Sequence, residues 1–243
     1  MDRQRVQLTP GYLLHQRPYG ESGAIVEVFT RDFGRIGLVA RGIRSGRSRR
    51  QALLQPFGEL LLSWQGRGEL ATLTDVEPAE AARWLSGTAL ISAFYVNELL
   101  LRLLRRDDPH PELYADYRAV VVRLAQGVDE ALALRIFEKR LLEQLGYGLQ
   151  LEHDAAGRPI DADTLYRLHP ESDPEPTVDA RLGVPGAALL ALAHESEEIN
   201  RYPRETRRLL QEALAPHLGE RPLRSRELYR QFRRAGEGAG GNS

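Results

Sequence analysis

Short apolar stretches separated by glycine- or proline-bearing turns recur along residues 5–76 and predict β-strands. The clearest alternation places Ile36, Leu38 and Ala40 on one side of a strand. The predicted strands are Gly11–His15, Ala24–Thr30, Ile36–Ala40, Leu60–Trp64 and Leu70–Thr74. Five short strands in about 75 residues suit a small closed barrel of the oligonucleotide-binding (OB) type, and an SH3-like barrel fits the pattern similarly.

From Glu80 onward the apolar positions recur with a helical period. Residues Thr88–Arg105 are apolar on nearly every side, which is typical of a helix at the centre of a bundle. A second helix begins near Pro111, and a third has Asp129 as its N-cap and Gly146 as its left-handed C-cap. Further helices are predicted at Gly186–His194, Pro203–Leu218 and Ser225–Arg234, the last with Ser225 as N-cap.

These patterns predict an α+β protein in which a five-stranded barrel, residues 1–79, precedes a helical bundle. The helical domain comprises residues 80–145 and 186–235. Residues 146–185 are rich in glycine, proline and acidic groups without a sustained period, and we expect an irregular insert there. The tail, residues 236–243, is expected to be disordered.

The composition narrows the possible chemistry. The 243 residues include no cysteine, which excludes disulfides, thiolate zinc sites and cysteine nucleophiles. No apolar run approaches the length of a membrane span, so we expect a cytoplasmic protein without a membrane partner. The net charge of −1 hides an acidic middle, since residues 107–200 carry 8 basic against 19 acidic groups, flanked by two basic ends.

The segment ARGIRSGRSRR, residues 40–50, follows a predicted strand and contains no acidic residue. A flexible basic loop beside a barrel can neutralise several phosphates and release their counterions, although a solvated loop of arbitrary charge is the alternative. Within residues 31–50 the arginines are Arg31, Arg35, Arg41, Arg44, Arg47, Arg49 and Arg50, against Asp32 alone. Among the aromatic residues of the barrel, Phe33 is the best candidate for an exposed stacking partner because it lies in a turn.

Two helical faces add candidates. Arg226, Arg230 and Arg233 share one face of the last helix, which favours either a surface that contacts the DNA backbone or a solvated face. On the helix after Asp129, Arg135, Lys139 and Leu142 border an apolar stripe, and a cation beside an apolar groove can receive a short acidic peptide.

The search for catalytic motifs finds little. His153–Asp154 and His194–Glu195 lack further ligands at useful spacing, and neither a phosphate-binding loop nor a nucleophile elbow is present. We therefore expect no enzyme, no cofactor and no metal.

Several longer segments resemble the RecO family of bacterial recombination mediators. They are RPYGESGAIVEVFTRDFGRIGLVARGIR (17–44), LLQPFGELLLSWQGRGELATL (53–73), YVNELLLRLL (95–104), LRIFEKRLLEQLGYGL (134–149) and RPLRSRELYRQF (221–232). The resemblance implies an OB barrel followed by a helical domain. It also implies a DNA-repair function in which the protein binds single- and double-stranded DNA and anneals complementary strands. The partners it implies are RecR and the acidic C-terminal tail of single-strand-binding protein, which together permit recombinase loading on coated DNA.

The resemblance also suggests particular residues. DNA-binding positions that match are Arg35, Arg41, Arg44, Arg49, Arg67, Arg224 and Arg226. Arg135 matches the cation that similar proteins present to the tail peptide. Many members carry a four-cysteine zinc finger in the insert, whereas this chain has Asp154 near the position of the first cysteine, so we expect a zinc-free insert held by packing alone. We expect a monomer, and the alternative function is a protein adaptor scaffold with incidental DNA contact.

Overall fold

The computed structural model describes residues 5–44, 49–66, 68–80, 83–169 and 172–239. Within these ranges the N-terminal strands are β1 (Arg5–Tyr19), β2 (Gly23–Thr30), β3 (Gly34–Ala40), β4 (Glu59–Gln65) and β5 (Ala71–Pro78), and a short helix, α1 (Arg49–Leu53), precedes β4. The strands close into a barrel of order β1-β2-β3-β5-β4. Only the β3–β5 pair of this barrel is parallel, and β1 closes the barrel by pairing with β4. This topology confirms the OB-type barrel.

The barrel core comes from the alternating apolar positions. Ile36, Leu38 and Ala40 are all buried, as the period of two predicts. They pack in one cluster with residues from all four remaining barrel strands, including Val26 of β2, Leu62 of β4 and Leu73 of β5. β1 and β5 extend beyond the predicted segments because strand pairing continues past the apolar runs.

The helices that follow are α2 (Gly87–Leu103), α3 (Pro111–Gln126), α4 (Glu130–Gln144), α5 (Gly186–Ala193), α6 (Pro203–Leu218) and α7 (Arg224–Ala239), with a short 3-10 helix at Glu197–Arg201. One predicted cap is confirmed, because the Asp129 side chain accepts a hydrogen bond of 3.2 Å from the Leu132 N–H. At the other end of α4 the C-cap is Leu145, and Gly146, with a left-handed φ of +81°, is the residue that follows it.

The chain forms two compact units. The first comprises residues 1–125 and 222–243, and the second comprises residues 126–221. The predicted helical domain, 80–145 with 186–235, is thus shared between the units. In the first unit α2 packs on β1 and α7 packs along α2.

The last helix differs from its prediction at both ends. Ser225 is not its N-cap, because the helix begins at Arg224 and the Ser225 hydroxyl donates instead to Glu98. The helix continues to Ala239 and therefore includes residues 236–239 of the tail predicted to be disordered. No proline interrupts it, and each added residue extends a ladder already anchored at its first turn. Residues 240–243 lie outside the described residues.

The insert, predicted to be irregular, contains a three-stranded sheet formed by β6 (Leu165–His169), β7 (Ser172–Pro176) and β8 (Val184–Pro185) in the order β7-β6-β8. Polar bonds add to its packing. The buried Asp154 carboxylate accepts from the backbone N–H groups of Ala156 and Arg158, both at 2.9 Å, and from the Arg158 Nε at 2.8 Å. The expectation that packing alone holds the insert is therefore wrong.

Candidate nucleic-acid interface

One end of the barrel carries four exposed arginines, which we call the barrel-end cluster: Arg17, Arg41, Arg44 and Arg50. The Arg44 N–H donates to the Ser22 carbonyl at 2.8 Å, which folds the segment after β3 back onto the β1–β2 turn. Arg50 Nη2 donates to the Thr74 carbonyl at 2.7 Å. Because Thr74 follows Thr72, the partner of Val39 near the end of β3, the start of α1 lies at the same end of the barrel, and arginines far apart in sequence share that end.

Strand register places Arg17 in this cluster. Arg17 pairs with Ile25, one residue along β2 from Ala24, and Ala24 pairs with Ala40 at the end of β3. Sequence reasoning missed Arg17 because it lies outside the arginine-rich segment 31–50 and on neither of the basic helical faces. The register of the β1–β2 hairpin was the information needed.

The exposed Tyr19 lies at the same end and is 51% accessible. It pairs with Gly23, and Arg41 Cα lies 3.9 Å from the position of a Cβ on that glycine. An accessible aromatic ring beside guanidinium groups suits single-stranded nucleic acid, because bases stack on rings while cations hold phosphates. Glu21 in the adjoining turn contributes one opposing charge.

Phe33, the predicted stacking candidate, instead packs edge-on against the buried Trp64, with ring centroids 5.2 Å apart. The prediction that Phe33 is exposed is wrong because the β2–β3 turn packs this ring against the barrel core. Tyr12, Phe29 and Phe57 are buried as well.

Arg31 lies away from the barrel-end cluster. It occupies the β2–β3 turn, whereas the cluster lies at the opposite end of that hairpin, about 20 Å away along seven strand residues. Its guanidinium bonds to the adjacent Asp32 at 2.9 Å, so part of its charge is neutralised.

Arg35 has a structural function in the fold. Its Nε donates to Glu27 at 3.1 Å, and its Nη1 donates to the carbonyls of Leu101 and Leu104 at the end of α2. Arg106 also pairs with Glu27. A cation at a helix C-terminus is favourable, and these contacts occupy the groups that a phosphate would need.

Four further predicted positions have no described side chain. Arg47 and Arg67 lie outside the described residues, and the side chains of Arg49, the first residue of α1, and of Arg233 on α7 are not described either.

The second basic segment, α7, belongs to the same compact unit as the barrel, with Arg224, Arg226 and Arg230 exposed. Glu98 anchors its first turn by accepting from the N–H groups of Arg224 and Ser225, each at 3.0 Å. Burial raises the pKa of Glu98, but these bonds and Arg102 outweigh it and hold the pKa below its ordinary value.

The peptide-binding candidates are less accessible than predicted. Arg135 is buried and pairs with the fully buried Glu138, with an Nη2–Oε1 distance of 3.0 Å, instead of facing an open groove. Leu142 is also buried. The i to i+3 spacing on α4 places the carboxylate directly against the guanidinium, a pairing that the sequence analysis did not consider.

Lys139 is held between two carboxylates, with its Nζ 3.0 Å from Glu143 and 3.1 Å from Glu195. Burial lowers the pKa of Lys139, but the bonds to Glu143 and Glu195 outweigh it and raise that pKa overall. Arg140 also bonds to Glu195 and is the main cause that lowers the pKa of that carboxyl. Because its pKa is raised, the Lys139 ammonium is charged at neutral pH.

Among the described residues, no group of three or more His, Cys, Asp or Glu side chains is arranged to hold a metal ion. No helix in this part of the chain is long and apolar enough to cross a membrane.

The geometry defines a class of protein: an OB-type barrel with an arginine-rich end, followed by helices. Comparison with known proteins then identifies the family. The models for Recombination protein O N terminal and Recombination protein O C terminal match residues 4–82 and 85–227. The chain belongs to the Recombination protein O (RecO) family.

Similar proteins include DNA repair protein RecO of Alkalilimnicola ehrlichii, 53% identical over 96% of this chain and 95% of that protein. DNA repair protein RecO of Nitrosococcus oceani is 47% identical over 96% of both chains. DNA repair protein RecO of Methylococcus capsulatus is 46% identical over 94% of this chain and 95% of the relative.

Proposed function

We propose that this protein is a non-catalytic mediator of DNA repair and recombination that acts in the cytoplasm on nucleoid DNA. It binds single- and double-stranded DNA, anneals complementary strands and, with RecR, helps to load recombinase on DNA coated by single-strand-binding protein. The observation that carries the proposal is the barrel-end cluster on an OB-type barrel, in a chain of the RecO family.

The chemistry follows from the guanidinium groups. Arginines that contact phosphates fix a strand without reading its bases. Two strands bound on basic surfaces repel each other less, because their phosphates are partly neutralised. Base pairing then supplies the free energy of annealing, and no nucleotide hydrolysis is required.

A salt series tests this proposal. The affinity for a fluorescent oligo-dT strand, measured by anisotropy, is compared between the wild type and the double variant Arg41→Ala/Arg44→Ala. Each single-strand phosphate that a cation neutralises adds about 0.7 to the steepness of log K against log salt, so removing two cations should reduce it by about 1.4.

The matched control is Arg31→Ala, which removes the same type of charge at the other end of the hairpin and should leave the slope unchanged. The rate at which complementary oligonucleotides anneal should be lower with the double variant than with the wild type, and Arg31→Ala should match the wild type. Equal slopes for the wild type and the double variant would contradict a phosphate-binding barrel end.

The same proposal includes the acidic tail of single-strand-binding protein as a ligand of Arg135, Lys139 and Leu142. Because Arg135 pairs with Glu138, a carboxylate of the peptide has to compete with that side chain. Exposure of Leu142 would require α4 or a neighbouring element to move on binding.

Two variants test this competition. Arg135→Ala should lose binding of a labelled acidic peptide, whereas Glu138→Gln should strengthen it, because the neutral amide leaves the guanidinium charge uncompensated. Both should retain wild-type affinity for naked DNA, and circular dichroism checks that they fold. Unchanged peptide affinity in a folded Arg135→Ala protein would refute the assignment.

A further inference from the structure

Tyr19 is the last residue of β1, at the end of the barrel that carries the barrel-end cluster. Its side chain is 51% accessible, whereas Tyr12 on the same strand is fully buried. Tyrosine rings are enriched in interfaces because they offer a large apolar face together with a polar tip. A half-exposed ring among cations is therefore a candidate contact for a ligand, and its exact position decides which ligand fits.

Strand alternation places Tyr19 on the same face of β1 as Arg17. Pro18 lies between them and pairs with Ala24, which belongs to the barrel core. Pro18 therefore points toward the inside of the barrel, and its two neighbours point outward. Two residues along a strand span about 7 Å, so the Tyr19 and Arg17 side chains leave the outer face of the sheet next to each other. Both side chains are exposed.

A glycine separates Tyr19 from the next arginine across the sheet. Tyr19 pairs with Gly23, and the Cα of the exposed Arg41 lies 3.9 Å from the position of a Cβ on Gly23. Because Gly23 has no side chain, β2 places no group between the Tyr19 ring and the Arg41 backbone. Neighbouring strands lie about 4.8 Å apart, so Tyr19 and Arg41 are about 10 Å apart across β2. The ring thus has Arg17 beside it along β1 and Arg41 across the sheet.

The charge around the ring is positive when the nearby acidic residues are counted. Arg44 also lies close, since its N–H donates to the Ser22 carbonyl in the turn that follows Tyr19. The same turn contains Glu21, the acidic residue nearest to the ring in sequence. Three arginines, at positions 17, 41 and 44, therefore surround the ring against one carboxylate.

The other acidic residues of this part of the barrel are neutralised or more distant. Glu27, on the outward face of β2, is paired with two arginines of the fold. Asp75 and Glu77 lie on β5, which pairs with the far side of β3. Three strand spacings, about 14 Å, separate β5 from Tyr19, and this exceeds the Debye length of about 8 Å at physiological salt. A polyanion is thus the ligand that the surroundings of Tyr19 favour.

We propose that Tyr19 determines the preference of the barrel end for unpaired DNA, by stacking on one base while Arg17 and Arg41 hold the neighbouring phosphates. The inference rests on the proposed function and names the residue that distinguishes single strands from duplexes. In a duplex each base is already paired and stacked, so the ring has no base face to contact, whereas the arginines contact phosphates in both forms. The arginines therefore contribute affinity for both kinds of DNA, and the ring adds affinity for single strands alone.

Substitutions on the outward face of β1 separate these two contributions, with affinities measured by fluorescence anisotropy. Tyr19→Ala should weaken binding of an oligo-dT strand by roughly 5- to 150-fold, the range of one base stacked on an aromatic ring, and should leave the affinity for a duplex of the same length unchanged. Tyr19→Phe keeps the ring and should bind oligo-dT like the wild type. Arg17→Ala should weaken binding of both, and should reduce the steepness of log K against log salt for the single strand by about 0.7.

An abasic strand of the same length and charge as the oligo-dT gives a readout that a structural defect would not reproduce. The wild type should bind oligo-dT more tightly than the abasic strand, and Tyr19→Ala should lose most of that difference. The matched control is Tyr147→Ala. Tyr147 is 49% accessible, but it belongs to the second compact unit and its ring stacks on His217, with centroids 3.7 Å apart. This control should keep the preference of the wild type.

The outcomes separate this inference from the proposed function. If the wild type binds both kinds of DNA and Tyr19→Ala keeps its affinity for oligo-dT, the ring is not the selective contact and the proposed function stands. Equal losses for oligo-dT and duplex in Tyr19→Ala would also overturn the inference, because a general structural effect explains them. If the wild type binds neither oligo-dT nor duplex, the proposed function itself fails.

Discussion

Asn97 on α2 ties the barrel to two helices, and its removal gives a sharp test of the fold. Its Nδ2 donates to the Leu14 carbonyl of β1 at 3.1 Å, and its Oδ1 accepts from the Tyr117 hydroxyl of α3 at 2.7 Å. Asn97 is 1% accessible and Tyr117 is fully buried. Burial is the main cause that raises the pKa of Tyr117, so the hydroxyl remains a donor at neutral pH.

The magnitude follows from what each substitution leaves unpaired. Asn97→Ala leaves the buried Tyr117 hydroxyl without its acceptor and removes a donor from the buried Leu14 carbonyl. Together these losses should lower the free energy of unfolding by about 2–4 kcal/mol. Tyr117→Phe removes the hydroxyl and leaves the Asn97 amide oxygen unpaired, which should lower the free energy of unfolding by about 1–2 kcal/mol. The double variant leaves no unpaired hydroxyl, so its loss of unfolding free energy should be smaller than the sum of the two single losses by about 1 kcal/mol.

The assay is urea unfolding followed by Trp64 emission in a Trp84→Phe background, because Trp64 reports the barrel. The matched control is Tyr12→Phe. Tyr12 is equally buried, its ring centroid lies 4.9 Å from that of Tyr117, and its hydroxyl makes no hydrogen bond within the described part of the chain. Removing the Tyr12 hydroxyl should leave the free energy of unfolding unchanged or raise it. Strict additivity of the Asn97 and Tyr117 variants, or equal losses for Tyr12→Phe and Tyr117→Phe, would refute the reasoning.

Two further predictions concern carboxylates. Since the pKa of Glu98 is lowered in the fold, its stabilisation of α7 should be complete above the unfolded pKa of about 4.3 and lost as pH falls through the lower folded value. Glu98→Gln at pH 7 should therefore accelerate trypsin cleavage within α7, and in the wild type a fall in pH should accelerate cleavage there by pepsin, which is active in acid; unchanged cleavage in both would argue against this anchor. Asp154→Ala should increase hydrogen exchange at the N–H groups of Ala156 and Arg158, whereas the exposed Asp163→Ala should not affect them, and equal exchange would show that packing alone holds the turn.

The sequence was most informative where local physics dominates. Alternation in β3 and the long apolar run of α2 predicted their types correctly, because burial of a face repeats with the geometry of the element. The insert was harder to predict. Its strands are short, and they are defined by pairing with each other instead of by an apolar period.

The site shows the same division. Sequence located the arginine-rich segments, but it could not distinguish Arg35 from Arg44. Arg35 pairs with Glu27 and with carbonyls more than 60 residues away, whereas Arg44 remains exposed. Arg17 and Tyr19 joined the cluster only through the register of β1 and β2.

By itself, the order of residues determined the barrel, most of the helices, the absence of thiolate chemistry and the segments in which positive charge accumulates. Tertiary structure decided which of those charges face solvent, which are neutralised by carboxylates and which aromatic rings are left uncovered. The physical reason is that burial and ion pairing depend on contacts between distant parts of the chain, such as Arg106 with Glu27 or Ser225 with Glu98, and no local pattern encodes those contacts.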